Sequence, residues 1–187
     1  MDELKQYASP KSKLTRLLQS GTLIKVRRGL FVDSPSLAGK MLAPVLYGPS
    51  YLSFQYALAS FGLIPERVAV ITSASFRKNK NKTFHTPLGE YRYYCLPPAV
   101  YPYGIRQEEE NGMSYLIASP EKALCDAVYK IKGVFSIIDI ERLLLEDWRM
   151  VRDELVSLDH EFIQWIAPHY NRKSLTALAW WFQKECG

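Results

Sequence analysis

The sequence has few cysteines and no long apolar run. Its three cysteines are Cys95, Cys125 and Cys186; they are widely spaced, and no C-x-x-C pair occurs. This pattern is typical of reduced thiols rather than of a disulfide or zinc framework. No apolar run reaches the roughly 18 residues that cross a bilayer, and the acidic, polar start does not resemble a secretory signal. We therefore expect a cytoplasmic protein with no membrane contact.

Motifs of the common enzyme classes are also absent. The three histidines lack the H-E-x-x-H spacing of a zinc site: His85, His160 and His169. There is no G-x-S-x-G, no P-loop and no G-x-G-x-x-G. Residues 108–110, all Glu, are expected in a polar turn. Glu121 and Lys122 are expected in the first turn of a helix, where they would interact with the helix dipole and lie on the surface. We expect no enzyme, no metal and no cofactor.

What is present is the composition of a folded protein with an uneven charge distribution. The 187 residues are 48% hydrophobic and 23% charged, which suits one or two compact domains. The net charge is +4 over residues 1–34, +5 over residues 35–105 and −4 over residues 106–187. A polyanion partner therefore suits the first part of the chain only. The alternative is surface charge that serves solubility alone.

The N-terminal segment predicts a helix followed by a hairpin. Ser9 is a suitable N-cap, Pro10 suits the first helical position, and Gly21 can end the helix in the left-handed conformation. Residues 22–32 form two short β-type runs around a turn, where Gly29 can adopt the positive φ that a tight hairpin needs. This order is the layout of a recognition helix followed by a wing, so a winged-helix-like DNA-binding module is predicted.

Polar and cationic side chains cover the exposed side of both elements. On the helix, the candidate DNA-binding residues are Lys11, Ser12, Lys13, Thr15, Arg16 and Gln19. On the hairpin they are Lys25, Arg27 and Arg28. Lysine and arginine neutralise phosphates, a helix in the major groove adds base contacts, and a wing arginine suits a narrow minor groove. The alternative is a solvated helix and hairpin whose charges only maintain solubility.

A second basic run is predicted to lie in a loop between strands. Its cations form a possible secondary anion-binding site: Arg77, Lys78, Lys80 and Lys82. These cations would extend the DNA-binding surface or bind another anion such as RNA. The alternative is that the run is only a mobile hairpin tip with no ligand. The nearby tyrosines are expected to pack on a sheet, because strand alternation places Tyr91 and Tyr93 opposite Tyr94.

The rest of the chain predicts an α+β fold. A helix is predicted over residues 50–61, strands over 68–73, 83–85, 90–96 and 114–118, and helices from residue 119 and near 137–146, 148–158, 160–167 and 174–185. The prediction is a DNA-binding module at 1–34, a boundary at 33–36, and a domain at 35–187 with a small antiparallel sheet and a helical C-terminal part. Residues 180–182 are expected to be helix-packing surface, with a protein contact as the alternative.

Three ordered blocks covering most of residues 9–130 carry a family resemblance. The first runs from Ser9-Pro10 through Leu17-Leu18-Gln19-Ser20-Gly21 to Arg27-Arg28-Gly29-Leu30-Phe31. The second is Gly48-Pro49-Ser50-Tyr51-Leu52-Ser53 with Ala57-Leu58 and Gly62-Leu63-Ile64-Pro65, and the third is Ala118-Ser119-Pro120-Glu121-Lys122-Ala123-Leu124-Cys125-Asp126. Together they resemble the AbiEi family of antitoxins, the transcriptional regulators of abortive-infection, type IV toxin–antitoxin systems.

The resemblance implies a promoter-binding autorepressor that counteracts a nucleotidyltransferase-like toxin in phage defence, without requiring a stable toxin complex. It also implies that the winged helix binds promoter repeats and that the following domain carries antitoxin action. Only residues 1–8 precede Ser9, so at most one short helix, over residues 2–7, fits ahead of the recognition helix. Such an abbreviated module would need the second domain or a homodimer to complete its core. The alternatives are an antitoxin that acts by protein interaction without DNA binding, and a defence nuclease.

Overall fold

The N-terminal helix and hairpin form where the sequence predicts them. The computed structural model describes residues 8–33 and 39–186; the helix predicted over residues 2–7 and, apart from Asp33, the boundary predicted at 33–36 lie outside these ranges. Helix α1 spans Pro10–Gln19, and strands β1 (Ile24–Arg27) and β2 (Leu30–Val32) pair antiparallel. Gly21 after the helix and Gly29 in the turn have φ values of +72° and +78°, the left-handed conformation expected of them.

The hairpin packs against the main hydrophobic core through one face. Val26 in β1 is only 6% exposed and belongs to that core, and Leu30 and Val32 of β2 pack against it half-buried. Strand alternation then turns Lys25 and Arg27 to the opposite, exposed face. The hairpin is therefore supported by the larger part of the molecule.

A six-stranded mixed sheet forms the centre of the larger part. Its strands are β3 (Ser50–Leu52), β4 (Ile71–Ser75), β5 (Lys82–Thr86), β6 (Gly89–Cys95), β7 (Ile105–Glu110) and β8 (Met113–Ala118), in the order β5-β6-β4-β3-β8-β7. The prediction of a small antiparallel sheet is wrong here, because β4 pairs with β6 and β3 with β8 in parallel. Parallel pairs arise from long crossover connections, which leave no local signal in the sequence.

Helices cover both faces of this sheet. On one face lies α2 (Gly39–Leu46), whose Gly39 and Ala43 carbonyl oxygens accept hydrogen bonds from the Tyr91 and Tyr93 hydroxyls at 3.0 and 2.7 Å. On the other lie α3 (Phe54–Ser60) and α4 (Pro120–Lys130). There Tyr94 contacts Phe54 edge to face, with ring centroids 5.0 Å apart. The predicted alternation of these tyrosines is confirmed.

The C-terminal part is helical, as predicted. After α4 come α5 (Ile137–Glu141), a π-helical turn (Arg142–Asp147), α6 (Arg152–Val156), α7 (His160–Ile166), a 3-10 turn (Ala167–Tyr170) and α8 (Lys173–Cys186). Helix α8 buries Trp181 and Phe182 completely and leaves Trp180 53% exposed, so only Trp180 of this trio is surface. None of the described helices is long and apolar enough to cross a bilayer.

Three local expectations are corrected. The first residues of the helix predicted over 50–61 form β3, and the helix itself begins only at Phe54. Residues 107–110, expected in a polar turn, form most of β7, an edge strand whose exposed positions carry polar or charged side chains. Helix α2 is absent from the sequence prediction, because Pro44 interrupts its pattern.

Candidate nucleic-acid interface

The hairpin presents three cations on its exposed side. Lys25 and Arg27 alternate with Ile24 and Val26 along β1, and Arg28 occupies the turn beside Gly29. All three cationic side chains are exposed. The alternation arises because the apolar positions must face the core, which leaves the intervening positions to solvent.

Helix α1 adds exposed polar groups next to the hairpin. Lys11, Ser12, Thr15, Arg16 and Gln19 are exposed, and Lys13 is half-buried. The Thr15 hydroxyl donates to the Lys11 carbonyl oxygen at 3.0 Å, and the Ser9 hydroxyl donates to the Ser12 oxygen at 2.9 Å. Part of the hydroxyl capacity on this helix is thus used locally, while the cationic groups project outward.

Five of these six cations have no carboxylate partner within the described part of the chain. No ion pair there involves Lys11, Arg16, Lys25, Arg27 or Arg28. Two arginines of the helical part do pair with acids: Arg149 with Glu66, and Arg152 with Glu141 and Glu185. At these five positions the N-terminal module therefore carries positive charge that no described acid compensates.

The second basic run lies in a loop between β4 and β5, as predicted. Arg77 stacks over the Phe76 ring at 5.0 Å and Lys78 lies over the Tyr47 ring at 5.1 Å. Lys80 is exposed in the loop, and Lys82, also exposed, begins β5.

The hairpin and this loop approach the same cluster of aromatic rings. Tyr47 lies between Tyr93 and Phe84, with centroids 5.2 and 5.8 Å away. Burial raises the pKa of Tyr93, and the charge of the nearby Arg27 opposes that rise. Lys78 lies over Tyr47 and the charge of Arg27 acts on the neighbouring Tyr93, so the two basic segments approach the same pair of rings.

Sequence reasoning missed a buried ionic network at the start of α4. Lys122 and Asp126 form an ion pair, and neither side chain has any exposed surface. From the sequence, Lys122 is expected on the surface of the helix. The Lys122 ammonium also donates to the Tyr170 hydroxyl at 2.8 Å, and that hydroxyl donates to Asp126. Glu121 is also buried, and its carboxylate accepts from the Asp159 backbone amide at 3.3 Å. The surface assignment of Glu121 and Lys122 is therefore wrong.

Two further hydroxyls complete the shell around the aspartate. Tyr51 and Ser53 donate to Asp126 Oδ2 at 3.1 and 2.7 Å. Burial, and then the charge of Asp126, raise the pKa of Tyr51 and Tyr170 well above the usual range, so both phenols keep the proton that they donate. With no exposed surface on either charged side chain, the network is suited to fixing α4 against β3 and the 3-10 turn.

A signal for this network was present in the sequence. Lys122 and Asp126 are four residues apart on one helix face, and the positions between and after them are almost all apolar: Ala123, Leu124, Cys125, Ala127 and Val128. A charged pair inside such a run indicates burial, because a surface helix would place further polar groups around it.

Gly104 sets the space in which Lys122 lies. It has φ +65°, and a Cβ there would be 2.8 Å from both the Lys122 Cβ and the Phe162 Cζ. We expect Gly104→Ala to lower the unfolding free energy by about 2–4 kcal/mol, from the left-handed conformation and the overlap together. Gly112→Ala is the matched control, since φ is +76° there and nothing lies within 4 Å. Equal losses in urea unfolding of the two variants would contradict the close packing.

The structure also places the remaining sequence candidates. The acids of β7 serve the sheet edge and α2: Glu108 accepts from the Tyr115 hydroxyl at 2.8 Å, and Glu110 pairs with Lys40. All three cysteines are free thiols. Across residues 8–33 and 39–186, no group of three or more His, Cys, Asp or Glu side chains is arranged to hold a metal ion. No protein-family model matches the chain, and a search of curated proteins finds no significant match.

Proposed function

We propose that this chain is a DNA-binding antitoxin and transcriptional autorepressor of the AbiEi type. In this proposal α1 and the β1–β2 hairpin form a winged-helix-like module that binds duplex promoter DNA. The larger α+β part carries antitoxin action against a nucleotidyltransferase-like toxin. The proposal rests on the order of helix, hairpin and following blocks in the sequence, and on the charge carried by the first two elements.

The observation that carries the proposal is the set of exposed cations without acidic partners on α1 and the hairpin. Lys11, Arg16, Lys25, Arg27 and Arg28 are exposed and form no ion pair with an acid of the described residues. Holding like charges together without counterions costs free energy, which a polyanion removes on binding. Phosphate contacts of this kind position a protein on the duplex, while Ser12, Thr15 and Gln19 are available for base edges or phosphates.

The basic loop extends the same surface. Lys78 and Arg27 approach opposite members of the Tyr47–Tyr93 ring pair, so a phosphate backbone that contacts the wing also passes near the loop. A helix, a wing and a loop give three points of contact, which fix orientation better than one.

The packing of the hairpin supports a role for the larger part in DNA binding. Val26 is buried in the shared core, and Leu30 and Val32 pack on it. These positions of the hairpin are therefore covered by the larger part of the molecule.

The function is tested by two readouts in one set of strains. The gene's own upstream DNA drives a reporter, and the chain is co-expressed with the toxin encoded beside it. We expect the wild-type chain to repress the reporter and to relieve growth arrest. Deletion of residues 1–34 should abolish repression, and whether relief survives the deletion separates the roles of the two parts.

The other outcomes identify the competing functions. Relief of arrest with no repression and no duplex binding would indicate an antitoxin that acts by protein interaction alone. Divalent-metal-dependent cleavage of DNA or RNA by the purified chain would indicate a nuclease. If the wild-type chain neither represses the reporter nor relieves growth arrest, the proposal as a whole is contradicted.

A further inference from the structure

A second cationic site lies far along the chain from the hairpin, between the end of α4 and the start of α8. A cavity of about 320 Å³ is lined by residues 131–135 and 171–174, and its charged lining residues are Lys132, Arg172 and Lys173. Lys130, on the last turn of α4, adjoins it. We call these four cations and the cavity the α4–α8 pocket.

Two of these cations make cation–π contacts with tyrosine rings and no ion pair with a described carboxylate. Arg172 lies over the Tyr129 ring at 5.1 Å, and Lys130 lies over the Tyr94 ring at 4.5 Å. Within the described ranges, no ion pair joins Lys130, Lys132, Arg172 or Lys173 to an acid. Aromatic faces orient cations while leaving their N–H donors free for an anion.

The charges are close enough to affect one another. Burial, and then the neighbouring charges of Arg172 and Lys132, lower the pKa of Lys130. Asp139 is an acid next to this cavity, but its carboxylate accepts hydrogen bonds from the Phe135 and Ser136 backbone amides at 3.0 and 2.9 Å. It thereby caps α5 and is not paired with any of the four cations. The positive charge of the pocket is thus not matched locally.

We propose that the α4–α8 pocket binds a phosphate group. Its volume lies at the lower end of the range for ligand pockets, which suits a small anion. Arginine and lysine together are the usual recognition groups for phosphate, Arg by its planar fork and Lys as a point charge. The positive end of the α8 dipole adds to this field.

Two sources can supply that phosphate, and the structure bears on both. One is the backbone of DNA bound at the hairpin, because Asn81 of the basic loop accepts from the Cys95 amide at 3.1 Å and Cys95 lies near Lys130. The other is free phosphate or the phosphate of a small molecule. The binding chemistry is the same, and the inference does not depend on the proposed repressor function.

The test uses the full chain and the double variant Lys132→Gln with Arg172→Gln. The matched control is Arg142→Gln with Lys184→Gln, which removes the same charge from the helical part outside the pocket. Thermal unfolding is followed in inorganic phosphate and in chloride at equal ionic strength. At about ten times the apparent Kd, phosphate should raise the midpoint of wild type and control by about 3–6 °C, and should leave the pocket variant unchanged.

A DNA arm distinguishes the sources. If the pocket takes a backbone phosphate, the pocket variant loses about 2 from the slope of log Kd against log salt, and the control keeps the wild-type slope. If the pocket binds free phosphate instead, the pocket variant keeps the wild-type salt slope for DNA binding and loses only the thermal shift in phosphate. An equal thermal shift in the pocket variant, or no shift in wild type together with an unchanged DNA slope, overturns the proposal. If the wild-type chain binds no DNA at all, the repressor function is contradicted. The thermal shift in inorganic phosphate then tests the pocket on its own.

Discussion

Replacing Arg27 and Arg28 together by alanine is expected to weaken binding to duplex DNA on the order of 50-fold at 100 mM salt. Each phosphate contact contributes about 0.9 to the slope of log affinity against log salt, so two contacts contribute nearly two decades at 0.1 M relative to 1 M. Both side chains are exposed and form no ion pair with a described acid, so their loss leaves no buried charge. The fold should therefore be unaffected.

Fluorescence anisotropy with a labelled duplex from the gene's upstream region, titrated between 50 and 200 mM NaCl, measures both quantities. The double variant should lose about 2 from the salt slope. Arg142→Ala with Lys184→Ala removes equal charge from the helical part and should retain wild-type affinity. If the two double variants weaken binding equally, the effect is one of net charge, and the hairpin is not the contact surface.

The second large effect is expected in the core. Lys122→Met should lower the unfolding free energy by about 3–5 kcal/mol, because it leaves the Asp126 carboxylate buried without its cation. In a chain of this length that corresponds to a fall of about 6–20 °C in the thermal midpoint. The methionine side chain fills most of the lysine stem volume, so the loss reports charge rather than a cavity. Urea and thermal unfolding measure it.

A double variant separates the ion pair from simple packing. Lys122→Met with Asp126→Leu removes both charges, so it should be more stable than Lys122→Met alone, although Tyr51 and Ser53 lose their acceptor. The surface pair Arg142 and Glu146, 3.7 Å apart and largely exposed, is the control, and its double alanine variant should cost about 0–1 kcal/mol. A Lys122→Met variant as stable as wild type would show that the network does not fix α4.

Features with short-range causes could be predicted from the sequence. The ends of α1 follow from Pro10 and Gly21, and the hairpin turn follows from Gly29, all within a few residues of the element concerned. Helix α4 is similarly marked by Ser119, whose hydroxyl accepts from the Lys122 amide at 3.3 Å. Ser136 and Asp159 mark the starts of α5 and α7 in the same way, since their side chains accept from backbone amides of the first turn.

Features with long-range causes could not be predicted. The mixed sheet depends on β4 pairing with β6 and β3 with β8, and nothing local in these strands specifies a parallel neighbour. β7 carries polar and charged residues at the exposed positions of an edge strand, a pattern that is also typical of a turn. The apolar run around Lys122 indicates burial, but its partners Tyr51 and Tyr170 come from distant segments and could not be identified from the sequence. The α4–α8 pocket has no sequence signal because its cations lie about forty residues apart, with Lys132 in one segment and Arg172 in another.

The central position of β3 in the sheet has a consequence for synthesis on the ribosome. Leu52 of β3 pairs with Ile117 of β8, so the strand acquires its parallel neighbour only after 65 more residues have been made. At translation speeds of about 5–20 residues per second this takes roughly 3–13 seconds. The basic hairpin emerges well before that, yet the core that supports its Val26 is completed later. A nascent chain thus carries the exposed positive charges of the hairpin before it has the scaffold that holds them in place.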